Sequence, residues 1–212
     1  MKYEINDYKG YKLGSLPKDS IKELEEYSYL AATEGSVLLE NKNNTLPLKK
    51  GDRVSVFGRI QREYYKSGTG SGGLVNVKYV TNIVDELKKS GEVEINESLL
   101  NVYEEWKKEN PFDYGCGWGQ EPWCQKEMEL DDALVKEARE FGDKAIIVIG
   151  RTAGEDKDNS ASEGSYLLTP LEEEMIKKVT SVFEKTIVVL NVGATIDMKW
   201  VKKYNVASVL YV

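Results

Sequence analysis

The sequence predicts an α/β fold, a three-layer α/β/α sandwich built on a mostly parallel sheet. Three observations carry this. Short apolar runs that read as buried strands, such as Ala145-Ile146-Ile147-Val148-Ile149 and Ile187-Val188-Val189-Leu190, alternate with segments of helical period. Several of those segments open on a capping residue, as helices do. No internal repeat or low-complexity linker interrupts the 212 residues, a length that suits one domain with a full core. Strands alternating with helices specify parallel pairing through crossovers, with helices on both faces.

Residues 1–18 mix Tyr, Lys and Gly without a period and suit an N-terminal arm, so the domain is expected over 19–212. Asp19 or Ser20 can cap a helix with Ile21, Leu24, Tyr27, Ala31 and Ala32 on its apolar side, ended by Gly35. Val37-Leu38-Leu39 reads as a strand, residues 41–44 as a turn, and Arg53-Val54-Ser55-Val56-Phe57 as a second strand. A polar loop over 58–73 leads to a helix over 75–89 with Val77, Val80, Ile83, Val84 and Leu87 inward. Val93-Glu94-Ile95 is strand-like, and Asn96 caps a helix through Leu99, Leu100, Tyr103 and Trp106.

Over 110–130 the period gives way to Gly, Pro and aromatics; Asp131 then caps a helix through Leu134, Val135, Ala138 and Phe141. After the strand at 145–149 comes a long polar loop. It ends where Thr169, Pro170 and Glu172 spell a capping box with proline in the first turn. The strand at 186–190, a short helix near 198–201 and an apolar run, Val209-Leu210-Tyr211-Val212, complete the chain. A core strand at the very end predicts a sheet truncated at its C-terminal edge.

Composition narrows the chemistry. A net charge of -7 argues against nucleic acid and against an anionic membrane surface, both of which need a basic excess. The absence of histidine removes Ser-His-Asp triads, Cys-His dyads and histidine-ligated metals, leaving carboxylates, Lys, Tyr or Cys for proton transfer. Two cysteines, Cys116 and Cys124, lack zinc spacing and suit idle thiols in a reducing compartment. With no apolar leader and no run long enough to span a bilayer, a cytoplasmic location is expected.

Three stretches are candidate sites. Gly68, Gly70 and Gly73 match G-x-G-x-x-G ahead of a helix, with Glu92 and Glu94 about 20 residues on. About ten residues separate Phe57 from Gly68, however, whereas a dinucleotide fingerprint starts at the strand end. A structural loop or a loop lining a sugar site fits as well. Residues 110–125 place Phe112, Tyr114, Trp118 and Trp123 among glycines, which suits either a sugar-stacking platform or a cover for the sheet edge. The loop after the central strand gathers Glu155, Asp156, Asp158 and Glu163 beside Arg151 and Lys157. A carboxyl held near cations and partly desolvated can be tuned for proton transfer, while a solvated acidic loop is the plain alternative. These acids show no calcium-loop register, so no metal or other cofactor is expected.

Together these segments resemble the α/β-sandwich domain of glycoside hydrolase family 3, the β-glucosidase and exo-glucanase family. The resemblance rests on 31–41 with Leu46-Pro47-Leu48, like the family's "EGIVLLKN…LPL", and on Val54-Ser55-Val56-Phe57-Gly58 with the Gly/Ser loop. It extends through Gly154-Glu155-Asp156-Lys157-Asp158, Tyr166-Leu167-Leu168 and 188–193. It implies a retaining exo-β-glycosidase whose nucleophilic aspartate lies on a separate TIM barrel and whose acid/base is a glutamate of this domain. That glutamate corresponds to Glu155, with Arg151 and Asp158 as its support and Glu163 as the other candidate. Asn159 stands where Arg is commoner in the family. Ser67, Gly70, Ser71 and Trp118 or Trp123 would border the aglycone side of a β-linked glucoside. Two carboxyls about 5–5.5 Å apart are what retention requires. Nothing in the chain resembles a barrel, so the fragment is expected to be inactive alone, with the barrel downstream in a permuted domain order. A non-catalytic carbohydrate-binding or interaction domain, and a nucleotide-binding domain, are the alternatives.

Overall fold

The computed structural model describes residues 18–70, 79–117 and 119–212. The expected arm (all but Lys18), Ser71 and Trp118 lie outside them. The chain divides into two compact units, Met1–Val37 and Leu38–Val212. The first contains α1 (Lys18–Gly35), which leaves Leu24 and Tyr27 exposed.

The second unit is organised by a six-stranded sheet. Its strands are β1 (Val37–Asn41), β2 (Arg53–Phe57), β3 (Glu94–Ile95), β4 (Lys144–Arg151), β5 (Lys185–Val192) and β6 (Ser208–Tyr211), in the order β1-β6-β5-β4-β2-β3. The β2–β3, β2–β4, β4–β5 and β5–β6 pairs are all parallel. Strand β4 is buried along its whole length, which is why its sequence shows an unbroken apolar run instead of alternation.

Odd and even residues of that run face different layers. Ala145, Ile147 and Ile149 join Tyr103, Val135, Ile176, Val179 and Trp200 in one core. Ile146 and Val148 join Val54, Val56, Val84 and Leu100 in the other. The helices follow accordingly. Helices α4 (Asp132–Phe141), α5 (Pro170–Val182) and α6 (Lys199–Lys203) cover the first face, α2 (Ile83–Ser90) covers the second, and α3 (Glu97–Glu109) reaches both. The expected α/β sandwich is what forms.

Caps fix the helix starts. Asn96 accepts from the Leu99 N–H at the start of α3, while its amide donates to Ser55 Oγ, which in turn donates to Ala138 O. A buried serine inside β2 is thereby satisfied. Thr169 and Glu172 form the reciprocal capping box at α5. Helix α2 begins after its cap, Asn82, and residues 79–82 before it are not helical, while the expected helical stretch over 75–78 and Gly73 of the glycine motif lie outside the described residues. Val80 accordingly lies 45% exposed outside the helix.

Candidate functional site at the β2–β4 divide

From β2 the chain proceeds to α2 and the edge strand β3; from the neighbouring β4 it proceeds to β5 on the opposite side. The loops leaving β2 and β4 at their carboxyl ends therefore part company, which is where open parallel sheets form ligand crevices. Both loops carry sequence-nominated residues.

The β2 loop starts tightly. Gly58 adopts φ +99°, and a Cβ there would stand 2.3 Å from Val148 O. A single turn, Arg59–Gln61, follows, and the loop runs on to Gly70. The β4 loop leaves through Gly150, where a Cβ would stand 2.8 Å from the Ile60 side chain. The two loops then join. The Thr69 N–H donates to Ala153 O at 2.8 Å, and the Thr69 hydroxyl donates to Glu155 O at 3.1 Å. Gly154, at φ +140°, forms an isolated parallel bridge with Thr69. Asp156 takes a left-handed conformation, φ 59°, and the Lys157 N–H closes the turn on Gly154 O.

Glu155 thus sits at the tip of a tight turn, exposed, with its side chain lying across Gly70. A Cβ on Gly70 would come within 2.4 Å of Glu155 Cβ and 2.8 Å of Oε2. The same Gly70 lines a cleft of about 490 Å³, with Tyr65 and Ser67 on its side and Phe112, Tyr114 and Glu121 opposite. Phe112 packs edge-on to Tyr65 at 5.7 Å and tilted on Tyr114 at 4.8 Å, while Tyr114 remains 77% exposed. Burial raises the Glu121 pKa, opposed by Lys157. A second cleft of about 360 Å³, bordered by Ala153, Asn191 and Gly193, shares residues 65–68 with the first, so the seam between the loops is a wall between two hollows.

The other nominated residues divide. Asp158 and Glu163 are exposed, Glu163 on a separate turn closed by the Gly164 N–H to Leu167 O. Trp123 is half-buried beneath Lys157, whose ammonium stands 5.0 Å from the ring centre, and its carbonyl accepts from the Thr152 N–H. That face of the indole carries a cation and locks a loop. Arg151, expected beside Glu155 as a sugar contact, is 2% exposed. Its guanidinium makes a bidentate pair with Glu172 at 2.6 and 2.7 Å and donates to the carbonyls of Gly150, Ser165 and Leu167. A charge at the end of a buried strand has gone inward because an acid and three carbonyls await it there. Any support it gives Glu155 runs through the backbone of the strand end.

Sequence reasoning passed over three participants. Thr69 looked like one member of a Gly/Ser loop. Glu172 was legible as a capping residue, with no sign that its carboxylate also holds Arg151. Asn159 donates to Thr195 and accepts from the Ser165 hydroxyl, tying the acidic loop to the segment after β5. Among the described residues no three His, Cys, Asp or Glu side chains are grouped to hold a metal ion, and no helix is long and apolar enough to cross a membrane.

One buried acid near the site carries a pH signature. Glu127 accepts from the N–H groups of Arg59 and Met128, yet burial, aided by the like charge of Glu172, pushes its pKa up to about 7. The folded state therefore binds this proton more tightly than the unfolded chain. The resulting stability is full below the ordinary value of 4.5 and is lost as pH rises to about 7. The loss is on the order of 3 kcal/mol. Urea midpoints should fall between pH 5 and 8, and Glu127→Gln should remove most of that slope; an unchanged slope in the variant would assign it elsewhere.

Comparison with known proteins agrees with the fold. Residues 36–212 match the model of the glycosyl hydrolase family 3 C-terminal domain. A β-glucosidase of Ruminococcus albus is 54% identical over 179 residues, covering 84% of this chain and 19% of that protein. The crystal structure of a β-glucosidase from Paenibacillus barengoltzii superimposes with a TM-score of 0.85 at 51% identity, over 88% of this chain and 20% of that one. β-Glucosidase 3B from Thermotoga neapolitana, in complex with glucose, gives a TM-score of 0.78 at 27% identity, over 91% and 27%. The chain spans about a fifth of the length of the Ruminococcus and Paenibacillus relatives.

Proposed function

Because the chain belongs to glycosyl hydrolase family 3, within its C-terminal domain, we propose that it delivers the acid/base carboxyl of a retaining exo-β-glucosidase and that Glu155 is that group. One observation carries the reading. An exposed carboxyl is held at the tip of a short turn, against a glycine that lines a cleft, at the point where the sheet's connections diverge. Glu163, on its own turn, lacks that placement.

The chemistry divides between two parts of one polypeptide. A barrel domain supplies the aspartate that attacks the anomeric carbon of a terminal β-glucosyl residue. As the bond to the leaving oxygen breaks, Glu155 gives that oxygen its proton; the carboxylate then takes a proton from the water that releases glucose. Ser67 and Gly70 border the leaving-group side with Tyr65 and Tyr114. Trp123 and Asp158 flank the turn. The enzyme needs no cofactor, works in the cytoplasm, and this chain alone does not turn over glycosides.

The test is leaving-group dependence in the polypeptide that joins this domain to its barrel. Glu155→Ala should slow cleavage of alkyl glucosides about a hundredfold or more, the scale of lost general-acid help. The glucosyl-transfer step on 2,4-dinitrophenyl β-glucoside, whose leaving group needs no proton, should survive, and azide should restore turnover by yielding β-glucosyl azide. Equal loss on both substrates, or none, would remove Glu155 from the role.

A further inference from the structure

We propose that Thr69, on the loop after β2, is a positioning residue for the Glu155 carboxyl, so that the wall of the cleft and the proton donor form one clasped unit. The proposal rests on the acid/base reading of Glu155.

Three contacts define the clasp. The Thr69 N–H holds Ala153 O at 2.8 Å, the Thr69 hydroxyl holds Glu155 O at 3.1 Å, and Gly154 lies flat against the Thr69 backbone, where a Cβ would come within 2.5 Å of Thr69 O. The two residues before Glu155 and the carbonyl of Glu155 itself are thereby pinned from one direction. The side chain is set from the other, because it rests on Gly70, which has no Cβ to push it away. Thr69 is buried, 8% exposed, whereas Glu155 is exposed. The loop thus places a buried anchor under a solvent-facing acid. A freely turning glutamate on an exposed loop would sample many rotamers, and proton delivery falls steeply with misplacement of the donor. A hydroxyl bond to the carbonyl of the acid's own residue limits that sampling without touching the carboxyl. The link also makes the acid's position depend on the cleft wall, since residues 65–70 line the cleft and end in the clasp.

The test uses Thr69→Val, which keeps the shape and removes the donor, with Thr69→Ser restoring it and Gly70→Ala pushing on the acid directly. In the barrel-joined enzyme, Thr69→Val and Gly70→Ala should each lower kcat on alkyl glucosides about tenfold, a part of the general-acid contribution. In Thr69→Val, KM and the glucosyl-transfer step on 2,4-dinitrophenyl β-glucoside should change less than about twofold, the pattern of an interaction that matters in the transition state. Thr69→Ser should return to the wild-type pattern. In the 212-residue chain, the Lys157 amide, bonded to Gly154 O, should exchange faster in Thr69→Val. A uniform loss on both substrates, wild-type kinetics in Thr69→Val, or failure of serine to restore them would overturn the positioning role. If Glu155→Ala itself shows no leaving-group dependence, the parent reading fails and takes this one with it. A normal Glu155→Ala pattern beside a flat Thr69→Val response removes the positioning role alone.

Discussion

Arg151→Met is expected to cost the fold about 3–5 kcal/mol, the usual penalty for breaking a buried ion pair from one side. The substitution keeps length and apolar contact but leaves the Glu172 carboxylate, itself 4% exposed, without its cation. It also leaves the carbonyls of Gly150, Ser165 and Leu167 without the guanidinium donors they now have. Glu172 keeps the Thr169 N–H and hydroxyl, so the α5 cap survives while the link from α5 to β4 does not. Adding Glu172→Leu should return part of the loss, since an apolar pair can replace a buried ionic one, though the capping box is then gone. Urea unfolding of both single variants and the double variant gives the coupling, expected at about 2 kcal/mol. Additivity within about 0.5 kcal/mol would show that the two side chains do not depend on each other.

Gly58→Ala is expected to be comparably severe. The residue leaves β2 at φ +99°, a conformation that costs a side chain of L configuration roughly 1–3 kcal/mol. The added methyl would also meet Val148 O at 2.3 Å, and that oxygen belongs to the central strand. A flexible side chain could turn aside; a backbone carbonyl inside a sheet cannot without parting β2 from β4. Overpacking adds about 1–3 kcal/mol. A total near 4 kcal/mol should appear as a lowered urea midpoint. Gly51→Ala is the control: it shares a positive φ of +83° but meets nothing within 4 Å, so its loss should be the smaller by the overpacking share. Equal losses would mean that the close approach at Gly58 is accommodated.

The sheet and most helices were legible because their causes are local. A strand buried on both faces is apolar on both through its middle, and the runs 145–149 of β4 and 187–190 of β5 announce themselves that way. Helices α3, α4 and α5 were placed by Asn96, Asp131 and Thr169, each of which does accept the expected N–H. Val80 reads as part of α2 because it stands three residues before Ile83, in helical register, yet it precedes that helix. Asn82 with Asp85 three residues on is the truer signal, and the Asn82 side chain accepts from the Asp85 N–H.

The site was legible in part. Glu155 stands out through its family-like loop. The clasp does not, because Thr69 and Glu155 lie 86 residues apart and nothing in either stretch names the other. Arg151 was misjudged for a related reason. A cation at a strand end looks solvent-facing until its partner, 21 residues later on a helix, is known. Asn159 seemed a mere departure from the family pattern, yet its amide bridges two loops.

The divergence of the chain on either side of the β2–β4 pair has an evolutionary corollary. The segment after β2 returns to one layer of helices and the segment after β4 to the other, and among the described residues they meet at the Thr69–Gly154 seam and along 123–127, where Trp123 O accepts from the Thr152 N–H and Glu127 from the Arg59 N–H. Insertions in either can accumulate without disturbing the opposite layer. A lineage built on this scaffold is free to remodel the loop after one strand while inheriting the loop after its neighbour unchanged.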